Sequence, residues 1–322
     1  GFTGLWAAYY LKQADPSLRV VIVERDFAGF GASGRNGGWL TGGFAWNHAR
    51  YAQNGAQGVR DMVAAMGTTV AEVCRVAARH TIDADIHPTD ELMIATNPAQ
   101  LIRLRAEIAH RQSWGEARLS ELGAAELARR IRFPNALGAL CVSGVARIQP
   151  AKLVRGLAQL VTSLGVEIYE GTSVRAYQPS RVETSHGHVT ARVILRCTEG
   201  FTAGIRGHKR DLLPLNSAQI VTPVLPPEVW AEIGWQGAEI LGDFNHAYCY
   251  CQRTADNRIA VGGRGMPYRF ASGIDVNGAP DPVTIQRLTA ILHRHFPAAA
   301  PYGVAHAWCG VLGVPRDWCA AV

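Results

Sequence analysis

The stretch Gly1-Phe2-Thr3-Gly4-Leu5, followed by the run Arg19-Val20-Val21-Ile22-Val23-Glu24, decides how this chain is read. Gly1 and Gly4 stand where G-x-G-x-x-G places its second and third glycines. Glu24 comes twenty residues after Gly4, where such a unit sets the acidic side chain that holds a ribose. The chemistry behind the spacing is simple. A pyrophosphate needs main-chain N–H groups aimed at it, so Gly1 lets the backbone approach and Gly4 lets the helix lie close to the sheet. Leu5 to Leu11 supplies a helix whose positive N-terminal end favours the anion. Asp15-Pro16-Ser17 stops that helix, and Val20 to Val23 reads as a parallel strand. The first glycine and its preceding strand do not stand before Gly1, so the chain is expected to be a fragment.

A second glycine cluster, Gly31-Ala32-Ser33-Gly34-Arg35-Asn36-Gly37-Gly38-Trp39, carries four glycines in nine residues. Loops of this density let a backbone come close to a ligand, and Ser33, Arg35 and Asn36 add a hydroxyl, a cation and an amide suited to phosphate and a polar heterocycle.

These segments together resemble the FAD-dependent amine and amino-acid oxidoreductases of the D-amino-acid oxidase/sarcosine oxidase superfamily, in particular the gamma-glutamylputrescine oxidoreductase-like branch. The likeness continues through Ile148-Gln149-Pro150-Ala151-Lys152-Leu153-Val154, Gly165 to Val174, Thr198-Glu199-Gly200-Phe201-Thr202, Arg258 to Arg264 and Leu312 to Asp317. It therefore spans essentially the whole chain. The resemblance implies FAD as cofactor, with Gly1, Gly4, Glu24 and Arg25 at its ADP half. Gly31, Ala32, Ser33, Arg35, Asn36 and Gly37 would lie near the pyrophosphate and flavin, Val174 near the adenine, and Thr198, Glu199 and Gly200 beside the cofactor backbone. It implies a Rossmann-type α/β domain with a three-layer parallel sheet, interleaved with an antiparallel-sheet substrate domain. The family's final glycine-rich turn and helix should follow Asp317, and the chain ends before them. Relatives carry small apolar residues where Arg196 and Cys197 stand.

The expected division is a first FAD-binding part over 1–50, a mainly helical substrate-side segment over 51–147, a second FAD-binding part over 148–214 and the antiparallel substrate domain over 215–322. Helical spacing runs from Gln57 to His80, from Pro98 to Trp114, from Ser120 to Ile131, from Pro150 to Leu164 and after Asp281-Pro282. Arg181 to Thr190 reads as a hairpin, and Val193-Ile194-Leu195 as a return to the parallel sheet. Gln219–Val224, Ala247–Arg253 and Arg258–Gly262 read as antiparallel strands.

The family reaction removes a hydride from the carbon beside an amine. Water hydrolyses the resulting imine, and oxygen takes the electrons to give hydrogen peroxide. Alternatives are a dehydrogenase feeding an electron carrier, and an inactive remnant or nucleotide-binding module without turnover. If the amine arrives neutral, no acid–base dyad is needed, and none is evident. Candidates for substrate or flavin contact are Trp39, His48, Tyr248, Tyr250, Arg264, Trp308 and Arg316: aromatics to wall an amine, arginines to clamp a carboxylate. Some relatives bind flavin covalently through a cysteine near Cys309, but its flanks here do not match that pattern.

Net charge is +6, with 48% hydrophobic and 18% charged residues. Such a balance fits a folded core rather than disorder. The arginines are scattered, with no basic stripe for nucleic acid, and no apolar run reaches the ~20 residues of a membrane span. Seven cysteines without a repeating framework favour a reducing cytoplasm. Cys249-x-Cys251 is not a metal spacing, and His293-x-His295 diverges on a helix, so no metal is expected.

Overall fold

A computed structural model describes residues 1–43, 47–263, 268–274 and 276–320. The helix Phe2–Ala14 starts at Gly1 and ends at Asp15, which is extended. Its apolar face, Leu5, Ala8 and Tyr9, packs on Val154, Leu157 and Val161 of the helix Pro150–Ser163. Each fully buried aliphatic side chain there contributes about 1.5–3 kcal/mol relative to exposure. Pro150 begins the second helix, and the Gln149 side chain accepts from the Lys152 amide. These helices cover two parallel strands, Val21–Val23 and Glu167–Tyr169, paired Val21 with Glu167 and Val23 with Tyr169.

A nine-stranded sheet forms the other half. Its order is His306–Val314, Leu213–Val221, Ile259–Gly263, Cys249–Arg253, Ile240–Asp243, His87–Ala95, Gly138–Arg147 and Trp39–Leu40, with Leu119–Gly123 also paired to Gly138–Arg147. All its pairings are antiparallel except Ile240–Asp243 beside His87–Ala95. Val174–Gln178, Arg181–Thr184 and Gly187–Thr190 make a separate antiparallel sheet that contains the expected hairpin. The fold is thus α/β, with parallel strands and a separate antiparallel sheet.

Two local readings are corrected. Ser120–Ile131 is not one helix: Leu119–Gly123 is a strand, and a short helix Ala124–Ala128 follows. The reason is a cap, because the Glu126 carboxylate accepts from the Gly123 amide and so starts the helix after Gly123. Val193-Ile194-Leu195 forms no strand, and Val193 and Leu195 are exposed. An apolar run becomes a strand only when it hydrogen-bonds to a neighbour, and no described strand pairs with it. Within 51–147, the helices Ala56–Arg79 and Pro98–Ser113 are accompanied by the strands His87–Ala95, Leu119–Gly123 and Gly138–Arg147.

The candidate flavin and substrate site

The two glycine clusters meet. The Phe2 amide donates to Ser33 Oγ at 2.8 Å, and a Cβ on Gly1 would fall 2.7 Å from that oxygen. The Gly1 nitrogen lies 3.9 Å from Glu24 Oε2, so the fingerprint and its acidic partner close around one place. Gly4 sits in the helix with Cys197 as its neighbour: a Cβ there would touch the Cys197 Cβ at 3.5 Å. Arg25 pairs with Asp26 at 2.7 Å and lies over the Phe201 ring at 4.4 Å. Gly31 precedes the short helix Ala32–Arg35 and faces the same Phe201 ring.

Arg35 is held on three sides. Its guanidinium donates to the Cys309 carbonyl at 3.0 Å and lies 4.4 Å over Phe30. Its own carbonyl accepts from Gln219 Nε2 and from Trp308 Nε1. Burial draws the guanidinium below its ordinary pKa. The Asn36 amide nitrogen donates to the Ser33 carbonyl, and its oxygen accepts from the Gly38 amide at 2.9 Å. Gly37 rests on Tyr250, where a Cβ would lie 2.7 Å from the ring. The Tyr250 hydroxyl meets Ser217 Oγ at 3.0 Å, and burial pushes its pKa up to about 12. Trp39 donates from its indole to the Cys251 carbonyl and meets Tyr250 edge-to-face.

A cavity of 510 Å³ opens in front of Gly34, Arg35, Asn36 and Gly37. That volume suits a flat heterocycle and a small partner. Opposite the loop stand Gln149, Gln219, Gln252, Thr254, His306 and Trp308. Sequence reasoning named Trp308 among these, and Gln149 only as part of a similar segment. One sign of Gln252 was present: in Cys249-Tyr250-Cys251-Gln252 it shares the strand face of Tyr250. Gln252 Nε2 donates to the carbonyls of both Gly38 and Ile148, at 3.0 and 2.8 Å.

Thr198, Glu199 and Gly200 open a short 3-10 helix against the strand His306–Val314, with a Gly200 Cβ position 2.8 Å from Val311. Burial holds the Glu199 carboxyl above its usual range. Val174 begins its strand opposite Thr184.

Of the remaining candidates, Tyr248, Arg316 and His48 are not among the residues lining the cavity. Tyr248 is half-buried in the turn before Cys249, and Arg316 is exposed beyond the strand His306–Val314. Arg264 lies outside the described residues. His48 is buried against His110, 3.3 Å away, and stacks on Trp114. Burial and the neighbouring His110 lower its pKa.

Close to the glycine-rich segment, Thr41 donates to the buried Glu91 carboxylate at 3.1 Å. Burial holds Glu91 above its ordinary 4.5, against the attraction of Arg111. A raised carboxyl favours the fold below the unfolded value and costs stability as pH rises through the folded one. Glu91→Gln is therefore expected to raise the melting temperature at pH 8 and to give no gain at pH 4. Thermal unfolding of both proteins at the two pH values checks this.

The bare backbone of Gly34 and Gly37 and the side chains of Arg35 and Asn36 at the cavity wall fit the flat, polar ring system of FAD. Comparison with known proteins agrees. The chain is 28% identical over 324 residues to the gamma-glutamylputrescine oxidoreductase of Escherichia coli strain K12, covering 96% of this chain and 71% of that one. It is 25% identical over 328 residues to the probable oxidoreductase OrdL of Rhizobium meliloti strain 1021, covering 98% and 73%. Among solved structures, L-proline dehydrogenase from P. horikoshii superposes with a TM-score of 0.79 at 15% identity, covering 98% of this chain and 80% of that one. Glycine oxidase from Geobacillus kaustophilus gives 0.75 at 18%, covering 98% and 82%. Residues 1–319 match the sequence model described as FAD dependent oxidoreductase, and the chain belongs to that DAO family of enzymes acting on amines or amino acids with FAD as cofactor.

Proposed function

We propose that this protein oxidises a small primary or secondary amine or amino acid, of the gamma-glutamylputrescine class, at the carbon bearing nitrogen. A hydride would pass to the flavin, water would hydrolyse the imine, and oxygen would take up the electrons as hydrogen peroxide. FAD bound there supplies the two-electron acceptor. The observation that carries the reading is the lining of the cavity: glycine backbone on one wall, side-chain amides on the other, and no carboxylate, lysine or thiol side chain among the described lining residues. Apart from His306, such a lining serves to orient and desolvate, which suits an amine that arrives neutral.

Each wall residue has a task. Gln219 and Trp308 both donate to the Arg35 carbonyl and so hold the loop in register with the strands behind it. Gln252 fixes Gly38 to Ile148. Arg35 and His306 are the titratable groups on the described lining and are the candidates to meet a substrate carboxylate. The choice of substrate draws support from the E. coli relative's own substrate. A cytoplasmic setting draws support from seven free cysteines. No described helix is long and apolar enough to cross a membrane.

The test begins with the protein incubated with FAD and desalted, then exposed without air to gamma-glutamylputrescine, glycine and proline. Bleaching of the flavin absorbance by the first, and peroxide formation on admitting air, are expected. Bleaching only by the amino acids would replace the substrate. Bleaching without oxygen uptake, relieved by an artificial acceptor, would make the enzyme a dehydrogenase.

A further inference from the structure

The strand Cys249–Arg253 has a second face. Gln252 lines the cavity and Tyr250, on the same face, lies against Gly37, so Cys249 and Cys251 turn the other way, into the main apolar core. There Cys249 meets Asp243, at the end of the strand Ile240–Asp243, and His295, the last residue of the helix Pro282–His295. All three are buried, at 2%, 3% and 5% exposure. Sequence spacing gave no sign of them as a set, because they come from three elements and only the fold unites them.

The distances are informative. Cys249 Sγ is 3.4 Å from Asp243 Oδ2, and His295 Nε2 is 3.5 Å from the same oxygen. The three ligand atoms lie within 4.8 Å of one another. Zinc bonds of ~2.0 Å to oxygen, ~2.05 Å to nitrogen and ~2.3 Å to sulfur at tetrahedral angles place O and S about 3.5 Å apart and O and N about 3.3 Å apart.

A second observation points the same way. His295 Nε2 is buried and aimed at this group; its contact with Asp243 Oδ2 is an ion pair at 3.5 Å that lacks the geometry of a hydrogen bond. Its ring is held in place by Phe133, 4.7 Å away. Asp243 Oδ1 already serves the local loop, accepting from the Asn245 and Cys249 amides. Oδ2, which also accepts from the Asn245 side chain, is the oxygen presented to Cys249 and His295. A buried imidazole nitrogen held only by so long a contact is poorly satisfied, and coordination to a cation would satisfy it fully.

We propose that Asp243, Cys249 and His295 form a structural site for a zinc-class divalent cation, distinct from the flavin site. One thiolate and one carboxylate would neutralise the ion in the dry interior, and His295 would coordinate as neutral imidazole. The Cys251 thiol touches that of Cys249 but lies outside the group of three, so the fourth position would fall to a water molecule. The site would pin the helix Pro282–His295 to the back of the strand whose front carries Tyr250 and Gln252. The proposal does not depend on which amine is oxidised.

The experiment is cobalt titration of the whole chain after chelator dialysis, followed by near-ultraviolet absorbance and by metal analysis. One equivalent of cobalt, a thiolate-to-cobalt charge-transfer band and its displacement by zinc are expected. Cys249→Ser should lose the band, and Cys74→Ser, altered at a half-buried thiol on the helix Ala56–Arg79, should keep it. No band in the folded wild-type protein would overturn the proposal without recourse to any variant. Persistence of the band in Cys249→Ser, or its loss in Cys74→Ser, would put the metal elsewhere and overturn it as well.

Discussion

Gly38→Ala is expected to lower the melting temperature by about 5 °C and to strip the protein of FAD on desalting. Gly38 has φ of +69°, a left-handed conformation that alanine adopts at a cost of about 1 kcal/mol. Space is the larger problem. The new Cβ would lie 2.1 Å from Gln252 Nε2 and 2.3 Å from the Ile148 carbonyl oxygen. The second contact is with backbone, so it cannot be relieved by turning a side chain. Gly38 also accepts from the Ile148 amide at 2.9 Å and donates to Asn36, so displacing it moves the cavity wall. Strain, overpacking and the lost Gln252 bonds together amount to roughly 3 kcal/mol or more. Gly58→Ala is the control. Gly58 is helical with nothing within 4 Å of a Cβ, and alanine there should stabilise by about 0.5–1 kcal/mol. Thermal unfolding and flavin absorbance of both variants check the pair; a Gly38→Ala protein that melts and binds like wild type would refute the close-packing account.

Arg130→Met is expected to cost roughly 3–5 kcal/mol, which is the penalty for stranding a buried charge. Arg130 reaches Asp90 at 2.7 Å and Glu239 at 2.8 Å. The two acids differ: the Glu239 side chain is 2% exposed, while that of Asp90 is 28% exposed. Glu239 already has one carboxylate oxygen without a hydrogen bond. Without the guanidinium, its charge stays in the interior beside Trp235, whose indole donates to the Glu239 carbonyl. Adding Glu239→Gln to Arg130→Met should recover more than half of the loss, whereas adding Asp90→Asn should recover little. Denaturant unfolding of the single and double variants decides it. Equal rescue by the two changes would mean that burial of Glu239 is not the cause.

What could be read from the chain was what backbone chemistry demands. Gly1, Gly4 and Glu24 read as a dinucleotide fingerprint from their spacing; in the fold Gly1 has no room for a Cβ beside Ser33, whereas Gly4 meets Cys197 at an ordinary contact distance. Helices with one apolar face, such as Pro150–Ser163, were legible for the same kind of reason. The strands His87–Ala95 and Gly138–Arg147 were harder to see, since both have consecutive buried residues and little of the alternation that betrays a strand. Val193-Ile194-Leu195 misled in the opposite sense, because it has the composition of a strand and no neighbour. The amides of Gln219 and Gln252 were invisible as a group. An amide carries no charge signature, and these two meet only after separate strands have paired.

The walls of the cavity come from seven stretches scattered between Gly34 and Trp308. No two neighbouring helices or single hairpin could assemble it. It closes only when the nine-stranded sheet has its register, which is a slow, non-local event in folding. A flavin therefore cannot guide the early chain; it can only latch a fold that is already complete. Once seated, it would withdraw the native state from the unfolding equilibrium as a whole, by about 2.7 kcal/mol at a hundredfold excess over its dissociation constant. Cofactor supply during synthesis would then govern how long each molecule lasts rather than whether it folds.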